Sequence, residues 1–81
     1  MNIEEQIRDI LARITRIDKS IITREATFKE IKADSLDVVQ ALVAVEETFG
    51  IEIPDEEAQK FKNFGDFVSY VENQVTNKAR V

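Results

Sequence analysis

The 81-residue sequence contains neither cysteine nor histidine. Without cysteine there is no disulfide and no thiolate nucleophile, and without histidine there is no imidazole base and no common zinc ligand set. These two absences exclude most enzyme mechanisms and the common zinc sites. The sequence also has no long uncharged apolar run, so we expect no signal peptide, no membrane span and a cytoplasmic location.

Lysine and arginine are absent from one continuous third of the chain. Residues 33–59 hold eight acidic residues and no basic one, and this segment accounts for the net charge of −5. Such a charge disfavours nucleic acid and anionic lipid and favours basic partners. The simpler interpretation, a solvated acidic face, stays open at this point.

The chain is long enough for one compact domain only. At 9.3 kDa, size scaling predicts that folding hides about 63% of the unfolded surface, which is enough for a modest core. We expect a single domain over residues 1–77, a frayed tail at 78–81 and a monomer.

Apolar residues near the start of the chain recur every three or four positions, as in a helix with one buried stripe. They are Ile3, Ile7, Ile10, Leu11, Ile14 and Ile17. The next stretch, 18–33, has no sustained period and is predicted to be a long ordered loop. Four apolar residues are expected to fix this loop to the core: Ile21, Ile22, Phe28 and Ile31.

The clearest helix signals follow this loop. Asp34 and Asp37 have the spacing of a capping box and Gly50 suits a left-handed stop, which predicts a second helix from Ser35 to Phe49. Pro54 and the acidic residues after it predict a short third helix that ends at Phe61 or Lys62. Asn63 and Asp66 form another capping pair, so a fourth helix is expected from there to about Asn77. No strand pattern is found, and we expect an all-α fold, a small four-helix bundle of three longer helices and one short helix.

The second helix carries two apolar stripes. Val38, Ala41, Leu42, Val45 and Phe49 form the stripe that a bundle would bury. Leu36, Val39 and Val43 lie on the other side, where they either contact the loop and the third helix or wait for a partner. For Val39 both interpretations stay open, whereas Leu36 and Val43, flanked by Gln40, Glu46 and Glu47, favour docking onto a basic groove.

Ser35 follows the predicted helix cap, where free amides and the helix dipole favour an attached or bound anion such as a phosphate. A serine nucleophile requires an adjacent base, and the chain offers no histidine for that role. Self-catalysed acyl transfer is therefore not expected. Taken alone, Asp34-Ser35-Leu36 is also consistent with an ordinary cap.

The motif and its surroundings together resemble an acyl carrier protein. The resemblance rests on Ala33-Asp34-Ser35-Leu36-Asp37, on the helix ending Glu46-Glu47-Thr48-Phe49-Gly50, and on Ile51-Glu52-Ile53-Pro54-Asp55-Glu56-Glu57-Ala58. It implies an acyl-carrier-protein-like bundle in which a partner synthase attaches the 4′-phosphopantetheine arm of coenzyme A to Ser35. Asp34 and Leu36 then flank the attachment site, and Asp34 stands near the synthase's magnesium during transfer. The resemblance further implies that the thiol of the arm carries acyl groups as thioesters, and that the protein itself is non-catalytic and has no intrinsic metal site.

The resemblance also implies the partners, which are holo-acyl-carrier-protein synthase and acyl-transferring and chain-elongating enzymes with basic docking patches. The implied docking residues are Asp37, Val39, Gln40, Val43, Glu46, Glu47, Glu52, Asp55 and Glu56, with Glu57 beside them. Small or β-branched core residues would also suit an acyl chain entering between the second and third helices, although they are equally common in tightly packed bundles. These are Ala41, Val45, Ala58, Val68 and Val71.

Two positions depart from the family pattern. Lys32 stands where many members have glycine, which predicts a loop conformation that does not need glycine's freedom, and Gln40 replaces a common carboxylate. The cargo therefore stays open between fatty acyl groups and the aminoacyl or polyketide units of a specialised carrier. An unmodified acidic interaction module is a further alternative, whereas a calcium sensor is not, because the 34–46 region lacks the alternating ligands of its loop.

Overall fold

Four helices and one short 3₁₀ turn form the regular structure of the protein in a computed structural model that describes residues 2–79. The elements are α1 (Ile3–Thr15), the 3₁₀ turn (Lys19–Ile21), α2 (Ser35–Phe49), α3 (Asp55–Ala58) and α4 (Phe64–Ala79). Among the described residues the only β-type pairing is an isolated bridge between Thr27 and Asn63. The expected all-α class with three longer helices and one short helix is confirmed.

The first helix is set by caps at both ends. The side chain of Asn2 accepts a hydrogen bond from the backbone N–H of Glu5 at 3.0 Å, and Arg16 ends the helix in the left-handed conformation, with φ of 61°. The helix buries Ile7 and Leu11 completely. Ile17, the last member of the apolar stripe, lies beyond the helix but still packs against the core.

The second helix begins and ends where the sequence predicts. Asp34 Oδ1 accepts from the N–H of Asp37 at 2.9 Å, and Asp37 Oδ2 accepts from the N–H of Asp34 at 3.4 Å, so both halves of the capping box are present. Gly50 ends the helix with φ of 65°, and its N–H donates to the carbonyl of Glu46 at 2.8 Å. Loss of an N-cap of this kind costs about 0.5 to 2 kcal/mol.

The third helix is shorter than expected. It ends at Ala58, and the N–H groups of Lys60 and Phe61 donate to carbonyls three residues back, at 3.0 and 3.2 Å. The expected end at Phe61 or Lys62 is wrong because this tightened turn directs the ring of Phe61 onto Phe67 of α4, where the two rings stack with centroids 5.4 Å apart.

The fourth helix starts as predicted and ends later. The side chain of Asn63 accepts from the N–H of Asp66 at 2.9 Å. The helix continues past Asn77 to Ala79, and Lys78 Nζ donates to the carbonyl of Gly50 at 3.0 Å, a contact that anchors its last turn. The tail expected at 78–81 therefore overlaps the helix, and its last two residues lie outside the described residues.

The core lies where α1, α2 and α4 meet, with the long loop packed against them. Its buried members are Ile7, Leu11, Ile22, Ala26, Ile31, Ala41, Leu42, Val45, Ile53, Phe64, Phe67, Val68 and Val71. The predicted ordered loop is confirmed by the burial of Ile22 and Ile31. The expected anchoring role of Ile21 is wrong, since its side chain is 52% exposed. Ile22 follows the 3₁₀ turn directly, and because successive residues of so tight a turn point to different sides, Ile22 faces inward and Ile21 does not.

An ion-pair network joins the loop to α1. Arg8 Nε donates to the carbonyl of Ile22 at 2.7 Å, and its guanidinium lies 5.2 Å from the centroid of the Phe64 ring. The carboxylate of Glu4 accepts from Arg8 at 2.6 Å and from Arg24 at 2.5 Å. These hydrogen bonds, that of Arg8 first, lower the pKa of Glu4.

Removal of this charge should change how stability depends on pH. The pKa of Glu4 is lower in the folded protein than in the unfolded chain, so its contribution is full above about pH 4.3 and is lost as the pH falls through the folded pKa. Glu4→Gln should therefore lower the free energy of unfolding near neutral pH, by at most about 1 kcal/mol per pair, and flatten its decline in acid. Urea unfolding in steps from neutral to acidic pH measures both effects.

Glu25→Gln is the matched control. Glu25 is an exposed glutamate of the loop that the network joins to α1, and it forms no ion pair among residues 2–79. If both variants lose the same free energy of unfolding and show the same pH dependence, the ion-pair network makes no specific contribution to stability.

Lys32 occupies a backbone conformation that glycine would adopt without strain. Its φ is 58°, in the left-handed region. The N–H of Lys32 donates to the carbonyl of Lys29 at 3.0 Å, and the N–H of Ala33 donates to that of Phe28 at 2.9 Å, so local hydrogen bonds fix this turn. The expectation that the loop avoids the glycine conformation is wrong, because the hydrogen bonds hold the turn despite the steric cost of a side chain.

Lys32→Gly should therefore stabilise the protein. A side chain in the left-handed region costs roughly 1 to 2 kcal/mol, and glycine removes this strain. Glycine also raises the conformational entropy of the unfolded chain, which offsets part of the stabilisation. We expect a net increase of up to about 1 kcal/mol in the free energy of unfolding, measured by urea titration. Lys32→Ala removes the same charge but keeps the Cβ atom, so equal stability of the Gly and Ala variants would contradict the strain.

Candidate functional site

Ser35 is the first residue of α2, and its side chain is exposed. The residue before it, Asp34, keeps an extended backbone with φ of −82° and ψ of −179° and serves as the N-cap. The chain therefore enters the helix at Ser35, with its hydroxyl at the solvent-facing end of α2 rather than against the core.

Two opposite electrostatic effects act at the start of α2. The first amides of a helix have no intrahelical partner, and the helix dipole adds partial positive charge. Asp34 satisfies the N–H of Asp37, but both side chains of the capping box are carboxylates. Their negative charge opposes the helix dipole and weakens the binding of a free anion.

The surroundings of Ser35 contain nothing that would activate its hydroxyl. Within residues 2–79 its oxygen has no side-chain hydrogen-bond partner, and the sequence has no histidine. A serine nucleophile needs a positioned base. The structure thus presents Ser35 as an accessible hydroxyl that no other side chain of the described residues contacts by a hydrogen bond.

A groove of about 550 Å³ opens beside Ser35 between α2 and α3. It is lined by Ala33, Asp34, Ser35, Val38, Val39, Leu42, Asp55, Ala58, Gln59 and Phe61. Leu42 is buried, and Val38, Ala58 and Phe61 are half-buried, so apolar side chains form the deeper part of the wall. Four of the five small or β-branched residues that sequence analysis considered for an acyl chain are instead packed in the core, and only Ala58 lines the groove.

The second apolar stripe of α2 is exposed. Leu36, Val39 and Val43 are 64%, 53% and 47% exposed, and the neighbouring Gln40 is also exposed. Val39 also lines the groove beside α3, so both interpretations of this residue stay open. Large apolar side chains in a row on one helix face form a surface that suits another protein.

The acidic residues around this stripe differ in their surroundings. Glu47, Glu52, Asp55 and Glu56 are exposed. Glu57 pairs with Lys60 at 3.0 Å, and Asp37 belongs to the capping box. The four exposed carboxylates can contact another protein, whereas the carboxylates of Glu57 and Asp37 already contact groups of this chain.

Glu46 has a role that sequence reasoning missed. Its Oε2 accepts a hydrogen bond from the backbone N–H of Ile53 at 2.8 Å, which fixes the loop between α2 and α3. No spacing rule relates a glutamate in the last turn of a helix to an amide seven residues later. Phe61 was missed as a groove residue for a similar reason, since the sequence predicted it as the end of a helix.

Among the described residues no group of three or more His, Cys, Asp or Glu side chains could hold a metal ion. In the same part of the chain no helix is both long and apolar enough to cross a membrane.

Comparison with known proteins gives a consistent family. The protein-family model described as the phosphopantetheine attachment site matches residues 5–71, which include Ser35. Acyl carrier proteins from Helicobacter pylori and Helicobacter acinonychis are each 47% identical over 74 residues, which is 90% of this chain and 95% of theirs. A solution structure of the holo acyl carrier protein from Geobacter metallireducens superimposes with a TM-score of 0.84 at 28% identity, covering 99% of this chain and 93% of that one.

The residues present fit a covalently attached phosphopantetheine group. The exposed hydroxyl of Ser35 stands at a helix start that favours a phosphate, and the groove beside it offers an apolar wall. The chain therefore belongs to the acyl carrier protein family, whose cofactor is a covalently attached phosphopantetheine.

Proposed function

We propose that Ser35 bears the 4′-phosphopantetheine arm and that the protein delivers acyl groups to enzymes of fatty acid or related lipid biosynthesis. The observation that supports this most strongly is the position of the Ser35 hydroxyl, exposed at the first residue of α2 and at the edge of the groove. The arm supplies a terminal thiol that holds acyl groups as thioesters, which a chain without cysteine cannot supply itself.

The side chains around Ser35 divide the remaining tasks. Asp34 and Asp37 hold the start of α2 in place through the capping box. Asp34 is also the carboxylate nearest in sequence to Ser35, which supports a contact with the magnesium ion of the synthase during arm transfer. Leu36 follows Ser35 with 64% of its surface exposed, as expected for a residue that the synthase covers.

The exposed face of α2 is our proposed docking surface. Leu36, Val39 and Val43 supply its apolar centre, with Gln40 beside them. The exposed acids Glu47, Glu52, Asp55 and Glu56 supply charge for partners with basic patches, namely holo-acyl-carrier-protein synthase and acyl-transferring and chain-elongating enzymes. Asp37 and Glu46 add their charge to this surface while they hold the capping box and the following loop.

The protein acts in this proposal as a non-catalytic monomer in the cytoplasm. The absence of a base near Ser35 supports a carrier that other enzymes modify and acylate. Two alternatives make different predictions: a carrier of aminoacyl or polyketide units bears the same arm with another cargo, whereas an unmodified acidic interaction module never receives the arm.

Ser35→Ala should fold normally and remain unmodified. Incubation with coenzyme A and a promiscuous phosphopantetheinyl transferase should add the mass of one arm to the parent protein and none to this variant. Intact mass spectrometry measures the difference. Ser20→Ala, which alters an exposed serine of the 3₁₀ turn, is the matched control and should be modified like the parent. An arm on Ser35→Ala, or none on the parent protein, would refute the assignment.

Glu47→Lys should slow association with the synthase by about two- to fivefold at low salt, since an exposed ion pair contributes about 0.2 to 1 kcal/mol. Glu47 lies about 18 Å along α2 from Ser35, so the change leaves the acceptor site intact. The difference should shrink as ionic strength rises. Stopped-flow association at two salt concentrations measures the effect.

Glu72→Lys is the control, because it makes the same change in net charge at an exposed position of α4. If both variants slow association equally, net charge alone steers the partners and α2 has no special role. The charge of Glu46 should be tested with Glu46→Gln, because an amide oxygen can still accept from Ile53.

A further inference from the structure

The loop between α2 and α3, residues 50–54, is tied to two helices. On one side Glu46 of α2 accepts a hydrogen bond from the backbone N–H of Ile53 at 2.8 Å. On the other side Lys78 Nζ, in the last turn of α4, donates to the carbonyl of Gly50 at 3.0 Å. Gly50 and Lys78 are 28 positions apart, so the loop is held by a helix that is remote in the sequence.

Two features at the end of α2 suit a cation from another helix. Gly50 has no side chain, and a Cβ atom there would come too close to Lys78 Nζ. The carbonyls at the C-terminus of a helix favour positive charge, yet the last turn of α2 contains Glu46 and Glu47 and no basic residue. Lys78 therefore supplies the cation that the end of α2 lacks.

The third helix depends on this loop for its place beside α2. It has four residues, Asp55–Ala58, and its N-cap, Pro54, makes no side-chain capping bond. A single turn of helix is not stable by itself. Ile53, which is 5% exposed, fixes the chain to the core directly before α3. The ties that Glu46 and Lys78 make to the loop therefore help to set where α3 lies.

We propose that Lys78 is a positioning residue for partner docking. By holding the loop, it keeps the exposed carboxylates of Glu52, Asp55 and Glu56 at one place beside the exposed face of α2. Groups that already stand where a partner meets them need no ordering when the complex forms, which favours binding. This inference rests on the proposed function, because it concerns the docking surface. Lys78 acts through the loop and is not itself part of that surface.

The first test measures the loop in the unmodified protein without a partner. Amide hydrogen exchange, followed by NMR, reports how often the N–H of Ile53 opens. Lys78→Met removes the donor to Gly50, so exchange at Ile53 should become about three- to tenfold faster, the effect of one lost hydrogen bond. Lys78→Arg keeps a donor and should restore the parent rate. Glu4→Gln is the stability control, because it weakens the ion-pair network of α1 without touching the loop.

The second test measures transfer of the arm by the synthase at low salt. When the loop is released, the docking acids are no longer held together, so the KM for Lys78→Met should rise about two- to fourfold, as expected for a weakened exposed contact. The kcat should stay unchanged, because Ser35 lies at the opposite end of α2 from the loop. Lys78→Arg should have the KM of the parent protein.

The direction of the change in KM separates positioning from net charge. Lys78→Met makes the protein more negative by one unit, which by itself strengthens attraction to a basic partner and lowers KM. Lys29→Met is the matched control, because Lys29 is exposed and forms no ion pair within the part of the chain that the structure describes. Its KM should equal that of the parent protein or fall below it, whereas the KM of Lys78→Met should rise.

Three results would overturn the proposal. Exchange at Ile53 could be no faster in Lys78→Met than in Glu4→Gln, which means that Lys78 does not hold the loop. The KM of Lys78→Met could fall with that of Lys29→Met, which means that charge alone matters. Lys78→Arg could fail to restore the parent KM, which means that the donor to Gly50 has no role. A parent protein that receives no arm would refute the proposed function, whereas the exchange measurement needs no synthase and would still show whether Lys78 holds the loop.

Discussion

The exchange of hydrogen bonds between Asp34 and Asp37 is the interaction on which the rest of the structure depends. It fixes the residue at which α2 begins, and each step along a helix turns a side chain by about 100°. From that start, this step brings Leu42 and Val45 to the buried face and leaves Leu36 and Val43 on the exposed one. The same two side chains hold Ser35 at the open end of the helix, beside the exposed stripe that we propose for docking.

The second helix has to satisfy two surfaces at once, and its acidic residues show how. Ala41, Leu42 and Val45 complete the core, while Leu36, Val39 and Val43 remain exposed. Carboxylates close to the chain's own amides are used for structure: Asp34 and Asp37 at the cap, and Glu46 on the N–H of Ile53. The carboxylates of Glu47, Glu52, Asp55 and Glu56 remain exposed, and we propose that partners contact them. The acidic segment 33–59 thus supplies hydrogen bonds within the chain and also a negative electrostatic potential at the surface.

The features that sequence reasoning recovered are those with a local cause. Both ends of α2 follow from residues within four positions of them, Asp34 with Asp37 and Gly50, and so does the start of α4 at Asn63. The features it missed depend on distant contacts. The end of α3 is set by stacking of Phe61 on Phe67, and the bond from Ile53 to Glu46 crosses a loop. The left-handed Lys32 shows the reverse case, in which hydrogen bonds of the turn override the preference of a residue.

The central claim is that Ser35 carries a phosphodiester that joins the chain to its arm. Phosphorus NMR of protein produced in a cell with an active phosphopantetheinyl transferase tests it most directly. The account predicts a single phosphorus resonance whose chemical shift stays constant as the pH is taken through about 6, because a phosphodiester has no second ionisation there, unlike a phosphoserine. The same resonance must be absent from Ser35→Ala. A signal that titrates near that pH, or no phosphorus signal at all, would contradict the account.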